Sequence, residues 1–300
     1  MEREKGGIAF FDSGIGGLTV VKTCKKMLPN TLFYYYGDNK HAPYGNLPTK
    51  KIKKYVFKIF KRFERLNVWA AVVACNTATA VCIEELRLRF SFPIIGIEPA
   101  VLPAARQGGV VFVLATRATY ESERFQRLCR DASMLFPFAS IQAYACDALA
   151  GEIERHILEK NFDYTHLLPH GSPTVVVLGC THYGFITEQI EKYYACPVVD
   201  GNVGVANRLL SVLQAKKGGD VHLQPLGNHF QPFEEKKQSK IEETDKKGRK
   251  ENRQKNVLGG KAKEKKQEAA KRASQKEMAG IVFLGNSKKH NEKIYEHLFL

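Results

Sequence analysis

Residues 70–77 read Ala70-Ala71-Val72-Val73-Ala74-Cys75-Asn76-Thr77, and residues 175–182 read Val175-Val176-Val177-Leu178-Gly179-Cys180-Thr181-His182. Each is a short apolar run that ends in a cysteine followed directly by polar residues. A second echo stands upstream at nearly the same spacing: Gly6-Gly7-Ile8-Ala9-Phe10-Phe11 against Gly108-Gly109-Val110-Val111-Phe112-Val113. Two echoes at nearly one spacing imply two similar lobes of roughly a hundred residues each, a common domain size. Further runs occur at Leu32 to Tyr36, Ile94 to Ile97 and Val198-Val199. None alternates with period two, as expected of strands covered on both faces of a parallel sheet. Amphipathic stretches lie between them. In Thr49 to Leu66, Ile52, Val56, Ile59, Phe60 and Phe63 form one stripe, and Lys50, Lys53, Lys54, Lys58, Lys61 and Arg65 lie off it. That basic face reads either as a binding patch or, more simply, as a solvated surface. Ile281-Val282-Phe283 and an amphipathic Asn291 to Leu298 read as a last strand and helix. The fold class is α/β: two pseudo-symmetric lobes, each a mainly parallel sheet flanked by helices, with the active site in the cleft between them. The expected division is 1–100 with 204–215 and 279–300 as lobe A, 101–203 as lobe B, and 216–278 inserted within lobe A.

The chain of 300 residues is 44% hydrophobic and 10% aromatic, which excludes a wholly disordered protein. Its net charge is +15. More than half of that excess falls between Lys216 and Glu277, where the only large apolar residues from Lys236 to Lys276 are Ile241, Val257 and Leu258. Such a segment buries too little surface to offset the entropy of ordering it, so a disordered basic insertion is expected, transiently helical over Lys261 to Lys276. A nucleic-acid or anionic-surface tether and a solvated loop both fit it, and the mixed signs of charge favour the loop. Seven cysteines over this length argue for a reduced compartment rather than a disulfide framework. With no apolar leader and no bilayer-length apolar run, the chain reads as soluble and cytoplasmic, without a membrane partner.

In parallel sheets, ligands bind beyond the carboxyl ends of the strands. Four such ends carry small polar residues: Asp12-Ser13-Gly14-Ile15-Gly16-Gly17, Gly37-Asp38 with Pro43-Tyr44-Gly45, Cys75-Asn76-Thr77, and Cys180-Thr181-His182. Thr116, Thr119 and Ser122 add a fifth edge. The glycine loop does not match G-x-G-x-x-G, because Thr19 stands at the last position, and no G-x-x-x-x-G-K-[ST] occurs. Nucleotide chemistry is therefore weakly supported. The loop's backbone N–H groups are expected to be free for a carboxylate ligand. Cys24, Cys82, Cys129 and Cys196 are not followed by small polar residues as Cys75 and Cys180 are, and read as core filler. Cys75 and Cys180 are expected at helix N-termini, where the dipole favours the thiolate. Redox chemistry lacks a C-x-x-C motif. A zinc site would have Cys180 and His182 but no further close pair. Proton transfer to and from opposite faces of one carbon needs an acid on one side and a base on the other, and two cysteines facing each other across a cleft supply them without a cofactor or metal.

Together, Asp12-Ser13-Gly14-Ile15-Gly16-Gly17-Leu18-Thr19-Val20, Gly37-Asp38 with Pro43-Tyr44-Gly45, Ala74 to Ala80 and Leu178 to Tyr183 resemble the glutamate racemases of the cofactor-independent aspartate/glutamate racemase superfamily. The resemblance runs from Ile8 to about Leu213 and resumes at Ile281. It implies interconversion of L- and D-glutamate without pyridoxal phosphate or metal, and supply of D-glutamate for peptidoglycan precursors. It implies that Cys75 and Cys180 exchange the Cα proton on opposite faces, assisted by Asp12 and His182, with Glu154 assisting on the His182 side. Asp12, Ser13, Tyr44, Gly45, Asn76, Thr77, Thr181 and His182 match the substrate-holding positions. Glutamate is thus the expected small-molecule partner, and a homodimer stays open. Cys146-Asp147 replaces the family's usual Cys-Pro, and Glu152 lies close enough to compete with Glu154 for its role. Two other classes remain: a racemase of aspartate or another dicarboxylate, and a degenerate binding module acting through the basic insertion.

Overall fold

The computed structural model describes residues 6–216 and 280–299. The basic insertion expected at 216–278 lies, beyond Lys216, outside the described residues. Among the described residues, nine strands form two sheets. The first holds β1 (Ile8–Asp12), β2 (Phe33–Gly37), β3 (Ala70–Val73), β4 (Ile94–Gly96) and β9 (Ile281–Phe283), in the order β4-β3-β1-β2-β9. The second holds β5 (Gly109–Ala115), β6 (Ala139–Ala145), β7 (Val175–Gly179) and β8 (Val198–Val199), in the order β6-β5-β7-β8. Every pairing is parallel. Read from β8, the second sheet runs β8-β7-β5-β6, the order of β4-β3-β1-β2 in the first. The sequence echo is therefore a repeated four-strand topology, with β9 added to the first copy.

Helices cover both faces of each sheet. On one side of the first sheet, α1 (Leu18–Met27), α9 (Asn202–Lys216) and α10 (Lys288–Phe299) pack Leu18, Val21, Leu209 and Ile294 against Ile8, Phe10 and Val72. On the other, α2 (Thr49–Arg65) and α3 (Asn76–Arg89) pack Ile52, Phe60 and Ile83 against Phe11, Ala71 and Val73. The expected stripe of α2 is the buried one, and each such side chain contributes roughly 1.5–3 kcal/mol by leaving water. Asn67, in the left-handed region at φ 50°, turns the chain away after α2. It is a residue type that tolerates that conformation better than most. In the second lobe, α4 (Val101–Ala105) and α6 (Glu123–Leu135) cover one face, and α7 (Leu149–His156) and α8 (Thr187–Tyr194) the other. The short α5 (Arg117–Tyr120) follows β5.

Strand β6 was not anticipated from the apolar runs. It reads Ala139-Ser140-Ile141-Gln142-Ala143-Tyr144-Ala145, with Ser140 and Gln142 exposed. It forms the edge of its sheet, so it alternates instead of running continuously apolar. Among the described residues, no helix is long and apolar enough to cross a membrane.

Candidate active site

The carboxyl ends of β1, β3, β5 and β7 converge between the two sheets. The turn after β1 does most of the joining. The Asp12 carboxylate accepts the Gly14 N–H at 2.7 Å and the Thr181 hydroxyl at 3.1 Å, and so links the end of β1 to the residues after β7. Tyr35, from β2, donates its hydroxyl to the Gly14 carbonyl at 2.8 Å and fixes the same turn from below. The two lobes meet so closely here that a side chain at Gly14 would collide with the Glu154 carboxylate, and one at Gly16 would stand 2.5 Å from the Thr181 hydroxyl. The glycines are thus needed for close approach. The turn was also expected to hold its N–H groups free for a ligand. The structure corrects this: Gly14 gives its N–H to Asp12, and Ile15 gives its N–H to Glu154 at 3.1 Å. Two protein carboxylates occupy the places assigned to a substrate.

Cys75 lies two residues beyond β3 and begins α3. Its Sγ is 3.4 Å from the Ser13 hydroxyl and accepts the Ala78 N–H at 3.5 Å. The helix start was expected to favour the thiolate. Instead burial, reinforced by the negative charge of Asp12, pushes the Cys75 thiol up to about 12, against the smaller lowering by Ser13 and Ala78. A dipole worth about 0.3–1 kcal/mol at an exposed site does not offset the desolvation of a fully enclosed charge.

Cys180 stands in the equivalent place after β7, at the start of a 3-10 turn over Thr181–Ile186. Its Sγ is 3.7 Å from His182 Nδ1. The far side of that ring, Nε2, is 2.7 Å from Glu154 Oε1. Glu154 is therefore the glutamate that reaches His182, while Glu152 pairs on the surface with Arg155 and His156. Burial opposes the charge on His182, but hydrogen bonds to Cys180 and Glu154 outweigh it and raise the imidazole well above its ordinary value. Burial also pushes Glu154 up. The His182 bond and charge, the Ile15 N–H and His290 together exceed it, and the carboxyl lies below its ordinary range. The result is a buried imidazolium–carboxylate pair behind one thiol. Asp12, fully enclosed, is raised by burial against the lowering influence of His182.

The other expected residues fall around this core in different ways. Thr77 reaches the Thr116 hydroxyl at 2.9 Å and that of Thr119 at 3.2 Å, and these two are 3.0 Å apart. This buried triangle of hydroxyls crosses from one lobe to the other. Gly45 lies against Thr116, where an added Cβ would stand 2.8 Å from the threonine Cβ. Tyr44 is buried and points its hydroxyl away, to Asp38 at 2.7 Å, which also holds His41 at 2.9 Å. Asn76 is buried, and its Oδ1 has no hydrogen-bond partner among the described residues. Such an atom costs about 1–3 kcal/mol unless a ligand supplies a donor. A narrow gap, too tight for a water molecule, is bordered by Asn76, Cys180 and Thr181. Asp200, which lines it too, was not anticipated. It follows β8 and accepts from Asn202 at 2.9 Å, and the strand-end rule applied to Val198-Val199 would have found it.

The two sheets share one topology, and each carries a cysteine just beyond the equivalent strand, Cys75 after β3 and Cys180 after β7, where the lobes meet. Residues 19–209 match the family described as Asp/Glu/hydantoin racemase, and the chain belongs to that family. It is 37% identical over 212 residues to the glutamate racemase of Clostridium botulinum strain Okra, covering 67% of this chain and 81% of that one. Its fold is similar to the crystal structure of Escherichia coli glutamate racemase in complex with L-glutamate and the activator UDP-MurNAc-Ala (TM-score 0.62, 31% identity, 70% of this chain and 83% of that one). It is similar also to the Francisella tularensis glutamate racemase in complex with D-glutamate (TM-score 0.60, 27% identity, 73% and 84%).

Proposed function

We propose that the protein interconverts L- and D-glutamate by proton transfer at Cα between Cys75 and Cys180. The observation that carries the reading is the like placement of two thiols, Cys75 against Ser13 just beyond β3 and Cys180 against His182 just beyond β7. Burial keeps Cys75 protonated at neutral pH, while Cys180 has beside it an imidazole that Glu154 holds in the charged form. With its own proton given up to water before the substrate enters, Cys180 stands as a thiolate facing that imidazolium. That thiolate takes the Cα proton from one face, and the Cys75 thiol gives its proton to the other. The product leaves Cys180 protonated and Cys75 as the thiolate, ready for the opposite enantiomer. Asp12, its pKa raised, is the nearby group able to accept or hold a proton on the Cys75 side.

The Cα proton is far less acidic than a thiol of ordinary pKa about 8.5, so the carbanion-like transition state needs aimed donors in a dry site. Closure of 101–203 over 1–100, 204–215 and 279–300 would exclude water. Asn76 Oδ1 is placed to accept from the substrate ammonium. Ser13, Thr77, Thr181 and the backbone of Tyr44-Gly45 supply the remaining polar contacts. A cytoplasmic location, with D-glutamate passing to peptidoglycan precursors, agrees with the relatives' activity and with the reduced cysteines. Incubation with L-glutamate in deuterated water tests the reading. Racemisation with Cα deuterium uptake is expected, lost by more than a thousandfold in Cys75→Ala and in Cys180→Ala. Exchange confined to aspartate would transfer the chemistry to another substrate, and silence on both would overturn it.

A further inference from the structure

A second cavity, of about 440 Å³, lies outside the cleft between α2 and the start of α10. Its wall is the polar side of α2: Lys54, Lys58, Arg62 and Arg65, with Lys40 across from them and Asn286 and Ser287 at the far lip. Among the described residues none of these five cations has an acidic partner. The sole carboxylate lining the cavity, Asp38, is taken up by Tyr44 and His41. Lys54, Lys58 and Arg62 follow one another at four-residue spacing, about 6 Å apart along the helix axis, and Arg65 extends the row. Unpaired like charges at that spacing repel each other. The start of α10, next to Ser287, adds to the positive field: it has no acidic residue in its first turn and begins with Lys288 and Lys289. This reverses the usual preference for acidic residues at helix N-termini. At one end the cavity is lined by Tyr36 and Tyr55, and the His41 ring stacks on Tyr55 at 3.9 Å. The space thus offers a row of cations with planar rings at its edge, within the usual size of small-ligand sites.

We propose that this groove binds a small molecule carrying an oligophosphate chain, with its phosphates along Lys54, Lys58, Arg62 and Arg65 and a planar group at the Tyr55–His41 end. The proposal is independent of the substrate of the cleft. The groove nonetheless touches the candidate site. Asp38 lies on its floor, gives its own N–H to the Asp12 carbonyl at 3.0 Å, and holds Tyr44 by its carboxylate. A ligand that engages His41 therefore acts on Tyr44-Gly45, which abuts Thr116 of the other lobe.

The test is calorimetric titration of the full chain with inorganic triphosphate and with ATP, for wild type, Lys58→Glu/Arg62→Glu and Lys61→Glu. All three substituted residues are exposed, and a milder Lys58→Ala/Arg62→Ala variant guards against misfolding, which circular dichroism reports. Triphosphate should bind with an affinity that falls steeply with added salt. The Lys58/Arg62 pair should weaken it at least tenfold, while Lys61→Glu, which does not line the cavity, changes it less than threefold. ATP should bind more tightly than triphosphate, and equal or weaker binding of ATP would overturn the placement of a planar group at the Tyr55–His41 end. Equal binding to wild type and both Lys58/Arg62 variants would overturn the proposal, as would no binding by the wild type. Capture of an oligonucleotide without binding of triphosphate would also overturn it.

Discussion

A single hydrogen bond between the Glu154 carboxylate and His182 Nε2, at 2.7 Å, fixes the charged group beside Cys180. In Glu154→Gln, His182 loses its charged partner and its pKa drops. Activity should fall by about 100-fold or more, and the alkaline limb of the pH–rate profile should move to lower pH. Glu152→Gln should leave both within about threefold, since that side chain pairs only on the surface; steady-state assays from pH 6 to 10 check this. Gly14→Ala forces a methyl group into the Glu154–His182 contact, and a displacement of this kind costs on the order of 100-fold in rate; kcat with circular dichroism separates that loss from unfolding. At this scale the two thiols were legible, because polar residues follow each apolar run directly. The choice of Glu154 over Glu152 was not, since it depends on which face of α7 meets the turn after β1. The high pKa of Cys75 was also hidden. A helix start is visible in a sequence, but the enclosure that overrides it is built by residues distant along the chain, such as Phe11, Tyr44 and Phe60.

At the scale of elements, the continuous Val- and Ile-rich runs identified the central strands because both of their faces are covered. Edge strand β6 escaped the same rule for the opposite reason. The repeat offered a second route to it: a copy of β2 belongs about a hundred residues on, where β6 stands. Between elements, the hydroxyl triangle of Thr77, Thr116 and Thr119 is a joint that sequence alone shows only as scattered threonines. Thr77→Val removes the member from α3 and leaves Thr116 and Thr119 bonded to each other. The expected cost is about 1 kcal/mol of stability by urea unfolding, with a larger relative effect on KM than on kcat if the joint positions the lobes for substrate.

Across the whole molecule, the His182–Glu154 pair links stability to pH in a defined window. Glu154 lies below its ordinary 4.5, so its contribution is present above that value and lost as pH falls through the lowered one. His182 lies above its ordinary 6.5, so its contribution is complete below 6.5 and lost as pH rises through the raised value. The difference in Tm between wild type and Glu154→Gln should therefore be widest between about pH 4.5 and 6.5 and narrow on either side; differential scanning calorimetry across pH 3 to 10 measures it. The first lobe also depends on its last helix, where Ile294 is packed among Phe283 and the α1 and α9 side chains. Ile294→Ala should cost about 2–5 kcal/mol, read as a lowered urea midpoint.

The pairing of Tyr34 with Val282 has a consequence during synthesis. A chain emerging from the ribosome at about 5–20 residues per second exposes β2 some tens of seconds before β9 arrives to cover it. Every strand of the second sheet is translated within that interval. The later lobe can thus be finished while the earlier one still presents an open backbone edge, the kind of surface that recruits strands from neighbouring chains. Nascent-chain handling by chaperones should matter most for this protein in that interval.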